Sequence, residues 1–340
     1  MAAATGYPET LAIEFPSRVA SRKGPLVLDL FAGCGGLALG FEAAGFRTIG
    51  FEMLEDACET YRTNLKADCH RSLLTPESEL PSGSAVIIGG PPCQPFSVGG
   101  HQEGHRDERN GFPAFLSAVK RYRPRVVIIE NVRGMLYQNR AYLDAIADEL
   151  GSLSYTVDWK LLNAANYGVP QSRERLFIVG HDGSFEFPGA THRNRSVTAG
   201  HALGELAAQA PPGSKFLTPS MDAYVERYEI ASKCVRPRDL HLDRPSRTVT
   251  CRNLNGATGD MLRVRLADGR RRRLTVREGA RLQSFPDWFT FCGSEGSQYN
   301  QVGNAVPPLL AKAMASAVLA CLRLKGVAKV GRKRQGTLFH

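Results

Sequence analysis

Cys93 sits in the string Gly89-Gly90-Pro91-Pro92-Cys93-Gln94-Pro95-Phe96-Ser97, just past the apolar run Val86-Ile87-Ile88. A short β-branched run closed by Gly-Gly-Pro-Pro reads as a buried strand entering a stiff turn. Open α/β sheets bind ligands at the C-terminal ends of their strands, so a thiol placed there can act as a nucleophile. The competing reading is a small buried hydrophobe, the usual state of a free cysteine. The prolines weigh against it, because they fix φ and remove two backbone donors, an expensive turn unless the thiol's position matters.

Other strand ends carry polar groups in the same way. Asp29-Leu30-Phe31-Ala32-Gly33-Cys34-Gly35-Gly36 follows an apolar run and opens a helix, so its glycines let a ligand approach unpaired backbone N–H donors. Glu52 ends the next run, where a carboxylate can hold ribose hydroxyls. The third glycine of G-x-G-x-x-G is missing, which disfavours a nicotinamide dinucleotide, although a plain tight turn explains the string equally well. Glu130-Asn131-Val132 ends another apolar run and reads either as a helix cap or as an acid. Beside a thiolate nucleophile, that acid would stabilise the negative charge that attack develops on a bound ring.

Gln171-Ser172-Arg173-Glu174-Arg175 leads into a further run, and its two arginines share a face if the chain is extended. They read as structural ion-pair partners or as hydrogen-bond donors to a bound acceptor, which a carboxylate cannot be. Residues 98–111 are rich in glycine and charge and read as a solvated loop or a lid that closes over the thiol's site. His101 and His105 within it read as phosphate or base contacts, since no third metal ligand accompanies them. Residues 270–273 are all arginine and face Arg263 and Arg265 across an Asp268-Gly269 hairpin, which predicts a basic ribbon that clamps phosphates.

The elements holding these groups alternate. Apolar runs at 26–31, 48–51, 86–88, 126–129 and 176–179, separated by helical stretches, predict an α/β fold with a doubly wound, mostly parallel sheet. From about residue 181 to 297 short β-like pieces rich in His, Arg and Pro predict a second, smaller, mixed and β-rich domain. There Thr275-Val276-Arg277-Glu278 is a capping box opening a helix, and residues 309–324 form an apolar-rich helix. Residues 1–24 lack clear periodicity and read as a loosely ordered arm.

With 43 Lys and Arg against 33 Asp and Glu, the 340-residue chain carries a net charge of +10, which suits a polyanionic partner. Its eight cysteines include no C-x-x-C pair, so we expect reduced thiols and no metal site. No apolar run approaches a bilayer span and the N-terminus is not signal-like, so a cytoplasmic protein with no membrane partner is expected.

Six strings taken together resemble the motifs of bacterial DNA (cytosine-5)-methyltransferases of the restriction-modification type, in their order, over roughly residues 26–325. They are Asp29 to Gly36, Gly90 to Ser97, Glu130 to Val132, Gly168-Val169-Pro170-Gln171 to Arg175, Arg244-Pro245-Ser246-Arg247-Thr248-Val249-Thr250, and Gln301-Val302-Gly303-Asn304-Ala305-Val306. The resemblance implies the S-adenosylmethionine-dependent methyltransferase fold. It places S-adenosyl-L-methionine on Phe31, Ala32, Gly33, Cys34, Gly35, Gly36, Glu52, Met53, Asp68, Pro91, Asn304 and Ala305. It implies a covalent mechanism on a flipped-out cytosine, with Cys93 at C6, Glu130 at N3, and Arg175, with or without Arg173, at O2. DNA contacts would come from Gln94, Ser97, Gly99, His101, Gln102 and Arg109, and from Arg271 and Arg273 of the ribbon.

By the same resemblance residues 25–185 form the catalytic and cofactor domain, completed by 298–325, and 186–297 form the smaller target-recognition domain, with 186–245 its variable part. A bacterial or phage-encoded monomer acting on double-stranded DNA is expected. A tRNA cytosine methyltransferase lacks support because no Cys-Phe-Thr string is present, and an inactive DNA-binding relative would not be expected to keep Cys93, Glu130, Gly33 and Asn304. A nucleotide-dependent dehydrogenase has no use for Pro-Pro-Cys-Gln. Residues 326–340 read as a basic, disordered tail, within which Gln335, Leu338 and Phe339 resemble the Gln-x-x-Leu-Phe peptide that docks bacterial proteins on the replication sliding clamp.

Overall fold

The computed structural model describes residues 6–17, 24–92, 110–233, 238–256 and 259–323. Strands β1 (Leu26–Leu30), β2 (Arg47–Glu52), β3 (Cys69–Arg71), β4 (Val86–Gly89), β5 (Val126–Val132), β6 (Thr156–Asn163) and β7 (Glu174–His181) form one sheet in the order β3-β2-β1-β4-β5-β7-β6. The first five pair in parallel, and β7 runs antiparallel between β5 and β6. Strand order reverses between β1 and β4, so the crevice outside their C-terminal ends is the binding position of a doubly wound sheet. Val86 to Ile88, Val126 to Ile129 and Leu176 to Val179 are fully buried, which is why these strands are continuously apolar rather than alternating. The expected strands are all present; β3 and β6 are additional, and both lack the β-branched runs that marked the others.

In chain order the helices are α1 (Tyr7–Glu14), α2 (Gly36–Ala43), α3 (Glu55–Asn64), α4 (Phe112–Tyr122), α5 (Gly134–Tyr137), α6 (Arg140–Ser152), α7 (Ala199–Leu203), α8 (Pro219–Ala231), α9 (Cys251–Asn255), α10 (Val276–Leu282), α11 (Glu295–Asn304) and α12 (Pro308–Arg323). The chain divides into two compact units. The sheet unit comprises Arg18–Asn163, Glu174–Gly189 and Ala311–His340; the second comprises Met1–Ser17, Ala164–Arg173 and Ala190–Leu310.

The second unit corrects two expectations. Residues 7–14 are helical rather than a loose arm, because Tyr7, Leu11 and Phe15 fall at i, i+4 and i+8 and bury one stripe. Tyr7 Oη donates to the Gly168 carbonyl at 3.1 Å, and Trp288 Nε1 donates to that of Phe15 at 2.7 Å. The unit is also mainly helical: among its described residues the regular strands are β8 (Arg263–Arg265) and β9 (Arg271–Arg273), joined at Gly269. The capping box at Thr275 and Glu278 forms as expected, both reciprocal hydrogen bonds being present.

Candidate active site

The turn after β1 is left-handed at Phe31 (φ 58°), Gly33 (φ 53°) and Gly35 (φ 88°), and Gly35 caps α2. A Cβ on Gly35 would lie 2.7 Å from Leu65 and 2.8 Å from Tyr61, so both its φ and its packing require glycine. Glu52 ties this turn to the one after β2. Its Oε2 accepts the Gly33 N–H at 2.9 Å, and its Oε1 accepts those of Met53 and Leu54, each at 2.9 Å. Met53 is exposed, and Ala32, Cys34 and Gly36 are buried. Burial pushes the Cys34 thiol up to about 12, so it stays neutral and is no rival nucleophile.

Two groups at this rim were not singled out in the sequence. Asp29 is 1% exposed and its Oδ2 has no hydrogen-bond partner among the described residues. Burial, with help from the nearby charge of Glu52, holds its carboxyl well above the usual carboxylate range. An aspartate inside the apolar run Val27-Leu28-Asp29-Leu30 was the available signal. Ser72 is the other: it follows β3, donates its N–H to the Glu52 carbonyl at 2.9 Å, and carries a buried Oγ without a partner among the described residues. It lines a cleft of about 430 Å³ with Phe51, His70, Leu74, Leu80 and Pro81. Asp68 is not at this edge. It precedes β3, its carbonyl accepting the Gly50 N–H, whereas Arg71 is the residue that pairs with Glu52. Cys-His-Arg gives no apolar signal, so the sequence did not reveal that β3 starts after Asp68 rather than ending near it.

At the end of β5, Glu130 Oε1 meets Arg175 Nε of β7 at 2.9 Å, with side chains 12% and 15% exposed. Burial lowers the Arg175 pKa, with Glu130 opposing. Gly90 lies against this pair: a Cβ there would stand 3.1 Å from Glu130 Oε2. Asn131 Nδ2 donates to the Pro91 carbonyl at 3.3 Å, and the Gly111 N–H donates to that of Pro92 at 3.1 Å. A Cβ on Gly111 would meet Pro92 at 2.7 Å and the Phe31 ring at 2.8 Å. The sheet unit thus gathers the Phe31 turn, the residues leading into Cys93 and the Glu130–Arg175 pair. Cys93, Gln94, Ser97, Gly99, His101, Gln102, His105 and Arg109 lie outside the described residues.

Arg173 is not available to a base. It is 1% exposed within the second unit, and its guanidinium donates to the carbonyls of Val249 (2.8 Å), Gly303 (3.2 Å) and Ala305 (2.9 Å). Ala305 is buried there, and Asn304 is exposed at the end of α11. The phosphate-clamp expectation fails as well. Arg271 is 6% exposed and pairs with Asp222 at 3.0 Å and Asp239 at 3.4 Å. Arg273 donates to the Leu254 carbonyl at 3.1 Å and lies over the Tyr299 ring. Arg263 pairs with Asp239 and Glu229, and Arg272 with Glu278, where both side chains are fully buried. The pattern of arginines was visible in the sequence; their carboxylates lie on other elements and were not.

For S-adenosylmethionine the sheet unit offers a fitting donor set: a buried Asp29 carboxyl whose Oδ2 has no hydrogen-bond partner among the described residues, a turn whose positive φ angles bare the backbone, and a carboxylate at Glu52.

The model of the family described as C-5 cytosine-specific DNA methylase matches residues 26–320. Type II methyltransferase M.AplI of Arthrospira platensis is 61% identical over 300 residues, covering 88% of this chain and 87% of that protein. Type II methyltransferase M1.HphI of Haemophilus parahaemolyticus is 36% identical over 86% of each chain. The S. pombe Dnmt2 methyltransferase structure superposes with a TM-score of 0.69 at 18% identity, covering 88% of this chain and all of that one, a likeness of fold. A motif set matched across nearly the whole sheet unit and second unit, on a sheet of this strand order, has one reading: the chain belongs to the C-5 cytosine-specific DNA methylase family.

Proposed function

We propose that this chain, a cytosine-C5 methyltransferase acting on double-stranded DNA, takes its methyl group from S-adenosyl-L-methionine and works through a covalent adduct at Cys93. The observation that carries the reading is the Glu130–Arg175 pair at 2.9 Å beside Gly90, three residues before Cys93. A duplex cytosine is unreachable in the stack, so it is extruded at a cost of about a few kcal/mol. The Cys93 thiolate adds to C6, Glu130 in its acid form supports N3, and Arg175 donates to O2. When bound, S-adenosylmethionine supplies an electrophilic methyl group to C5. Loss of the C5 proton then restores the C5–C6 double bond and expels the Cys93 thiolate. In the cofactor site the Gly33 to Gly36 turn lets the ligand approach the backbone, Glu52 holds the ribose, and Asp29 accepts from the ammonium.

Residues 186–245 select the target sequence. With the ribbon arginines paired internally, Arg193 and Arg195 are the candidates for phosphate contacts in the second unit. Both are exposed, neither forms an ion pair among the described residues, and their turn is pinned where the His192 N–H donates to the Asn166 carbonyl at 2.9 Å. The relatives' names support a role in protecting DNA within a restriction-modification system. Gln335, Leu338 and Phe339 lie outside the described residues; a peptide of residues 329–340 is expected to bind a bacterial sliding clamp, and binding indifferent to Leu338→Ala plus Phe339→Ala removes that proposal. No single helix among the described residues is long and apolar enough to cross a membrane.

Bisulfite sequencing of DNA from cells expressing the protein tests activity and target together. The expected result is one sequence context protected from conversion with wild type and none with Cys93→Ser. Protection that survives Cys93→Ser overturns the covalent reading.

A further inference from the structure

Helix α8 of the second unit sorts its residues by charge. Thr218 caps it, its hydroxyl accepting the Met221 N–H at 3.3 Å, and Pro219 stands in the first turn, where no donor is needed. Asp222, Glu226 and Glu229 recur at i, i+4 and i+7, so the three carboxylates lie along one side. Two of them turn inward: Asp222 meets Arg271 at 3.0 Å, and Glu229 meets Arg263 at 3.2 Å. Val225, the one buried residue of the thirteen, lies on that side as well.

The opposite side carries no carboxylate. Ser220, Ala223, Tyr224, Arg227, Tyr228 and Ala231 follow at i, i+3, i+4, i+7, i+8 and i+11, and all are exposed. The Tyr224 and Tyr228 rings stack with centroids 6.4 Å apart and planes 16° from parallel, and the Arg238 guanidinium lies 5.8 Å from the Tyr228 ring. Rings held against each other have less freedom to lose when a partner binds. Arg227 forms no ion pair among the described residues; its Nε reaches the Ala223 carbonyl at 3.4 Å. Ile230, one turn on from Arg227, is 78% exposed.

A basic and aromatic face free of carboxylates, on a chain of net charge +10, suits a polyanion. Its size fits one in particular. Thirteen helical residues span about 20 Å, and the major groove of duplex DNA, about 12 Å wide, admits an α-helix. The small side chains of Ser220, Ala223 and Ala231 let the helix backbone approach the groove.

We infer that α8 is a base-reading helix, with Arg227 on base edges and Tyr224 and Tyr228 donating to the sugar–phosphate backbone along the groove wall. The inference rests on the proposed selection of the target by residues 186–245 and narrows it to one helix. Arginine can donate two parallel hydrogen bonds to a guanine edge, and Ile230 offers an apolar contact to a thymine methyl. Glu226, on the side of Asp222 and Glu229, repels phosphates there and so sets which side faces the groove.

The test uses the full-length protein and a duplex carrying the sequence that bisulfite sequencing identifies. Hydroxyl-radical footprinting read by mass spectrometry should show Tyr224, Tyr228 and Ile230 protected when this duplex binds. Arg227→Ala should lower the preference for that duplex over one altered at a single base pair about tenfold, the scale of one bidentate base contact, with the melting temperature unchanged. Tyr224→Phe with Tyr228→Phe should instead weaken all duplexes alike and leave the preference intact, since backbone contacts carry no sequence information. Protection elsewhere in 186–245 but none on α8, or wild-type preference at every base pair in Arg227→Ala, overturns the inference alone and assigns this face to another macromolecule. No protection anywhere in 186–245 overturns the target-selection reading and the inference with it.

Discussion

The rim of the sheet and the β8–β9 ribbon both concentrate charge, and they use it in opposite ways. In the ribbon, Arg263, Arg271 and Arg272 are almost wholly buried and face Asp222, Asp239, Glu229 and Glu278. Arg272 adds the carbonyls of Gln209 and Leu206, and Glu278 adds the Thr275 N–H, so this charge is consumed in holding the unit together. At the rim, Glu130 and Arg175 have only each other as ionic partners among the described residues and remain partly exposed, and Asp29 keeps an oxygen with no partner among those residues. Charge that is incompletely satisfied beside a turn is available to a ligand; saturated charge is structure. Density of arginine therefore says little about where DNA binds.

The sharpest way to break this comparison is to remove the rim's chemistry without its packing. Glu130→Gln can still bond Arg175 but cannot deliver a proton to N3, and the methylation rate should fall about 10²- to 10⁴-fold with the melting temperature nearly unchanged. A rate within twofold of wild type would reduce Glu130 to a partner for Arg175. In the ribbon the converse holds: Arg272→Ala strands the Glu278 carboxylate where both side chains are fully buried. Breaking such a pair costs about 3–5 kcal/mol, read as a lower denaturant midpoint. Unaltered stability would show that the ribbon charges are not the scaffold their burial implies.

The two regions were also unequally legible. The rim could be read because each group ends an apolar strand, and a strand end is visible as a break in a run: Val86 to Ile88 before Gly89, Val126 to Ile129 before Glu130. Where the strand lacked such a run, as in Cys69–Arg71, the reading slipped and chose Asp68. The ribbon's hairpin was equally visible, through Asp268-Gly269, but the fate of its arginines depended on Asp222, Glu229 and Asp239, carboxylates far off in sequence and brought close by tertiary packing. Arg173 and Arg175 show the same limit at its smallest scale. Alternation along a strand predicts a shared face, but not that the chain passes from one compact unit to the other between Arg173 and Glu174.

A smaller effect sharpens the comparison on the DNA side. Arg193→Ala with Arg195→Ala should weaken binding to all sequences alike and flatten the slope of log K against log salt by about 1.8, or about 0.9 for each phosphate no longer neutralised. Arg271→Ala with Arg273→Ala should leave that slope unchanged while lowering stability, because these side chains answer to Asp222, Asp239 and the Leu254 carbonyl. Salt-dependent titrations that show the reverse would return the ribbon to the DNA interface.

The smallest expected effect compares neutralisation of one acid in each region, and its sign is the test. Burial raises the Asp29 carboxyl pKa, so the folded chain holds this proton at pH values where the unfolded chain, with an aspartate near about 3.9, has released it. Stability contributed at this position therefore falls as pH rises through the raised pKa, and above it the full penalty of the buried carboxylate persists. Asparagine has no proton to lose. Asp29→Asn should therefore melt above wild type at pH 8 and converge with it toward pH 4, while binding S-adenosylmethionine more weakly because the acceptor charge is gone. Glu278→Gln in the ribbon should do the opposite and melt lower, since it deprives the buried Arg272 of its counter-charge. Melting curves across that pH range decide it: a gap between Asp29→Asn and wild type that is flat with pH, or a gain in stability for Glu278→Gln, would mean that the rim and the ribbon satisfy their charges in the same way.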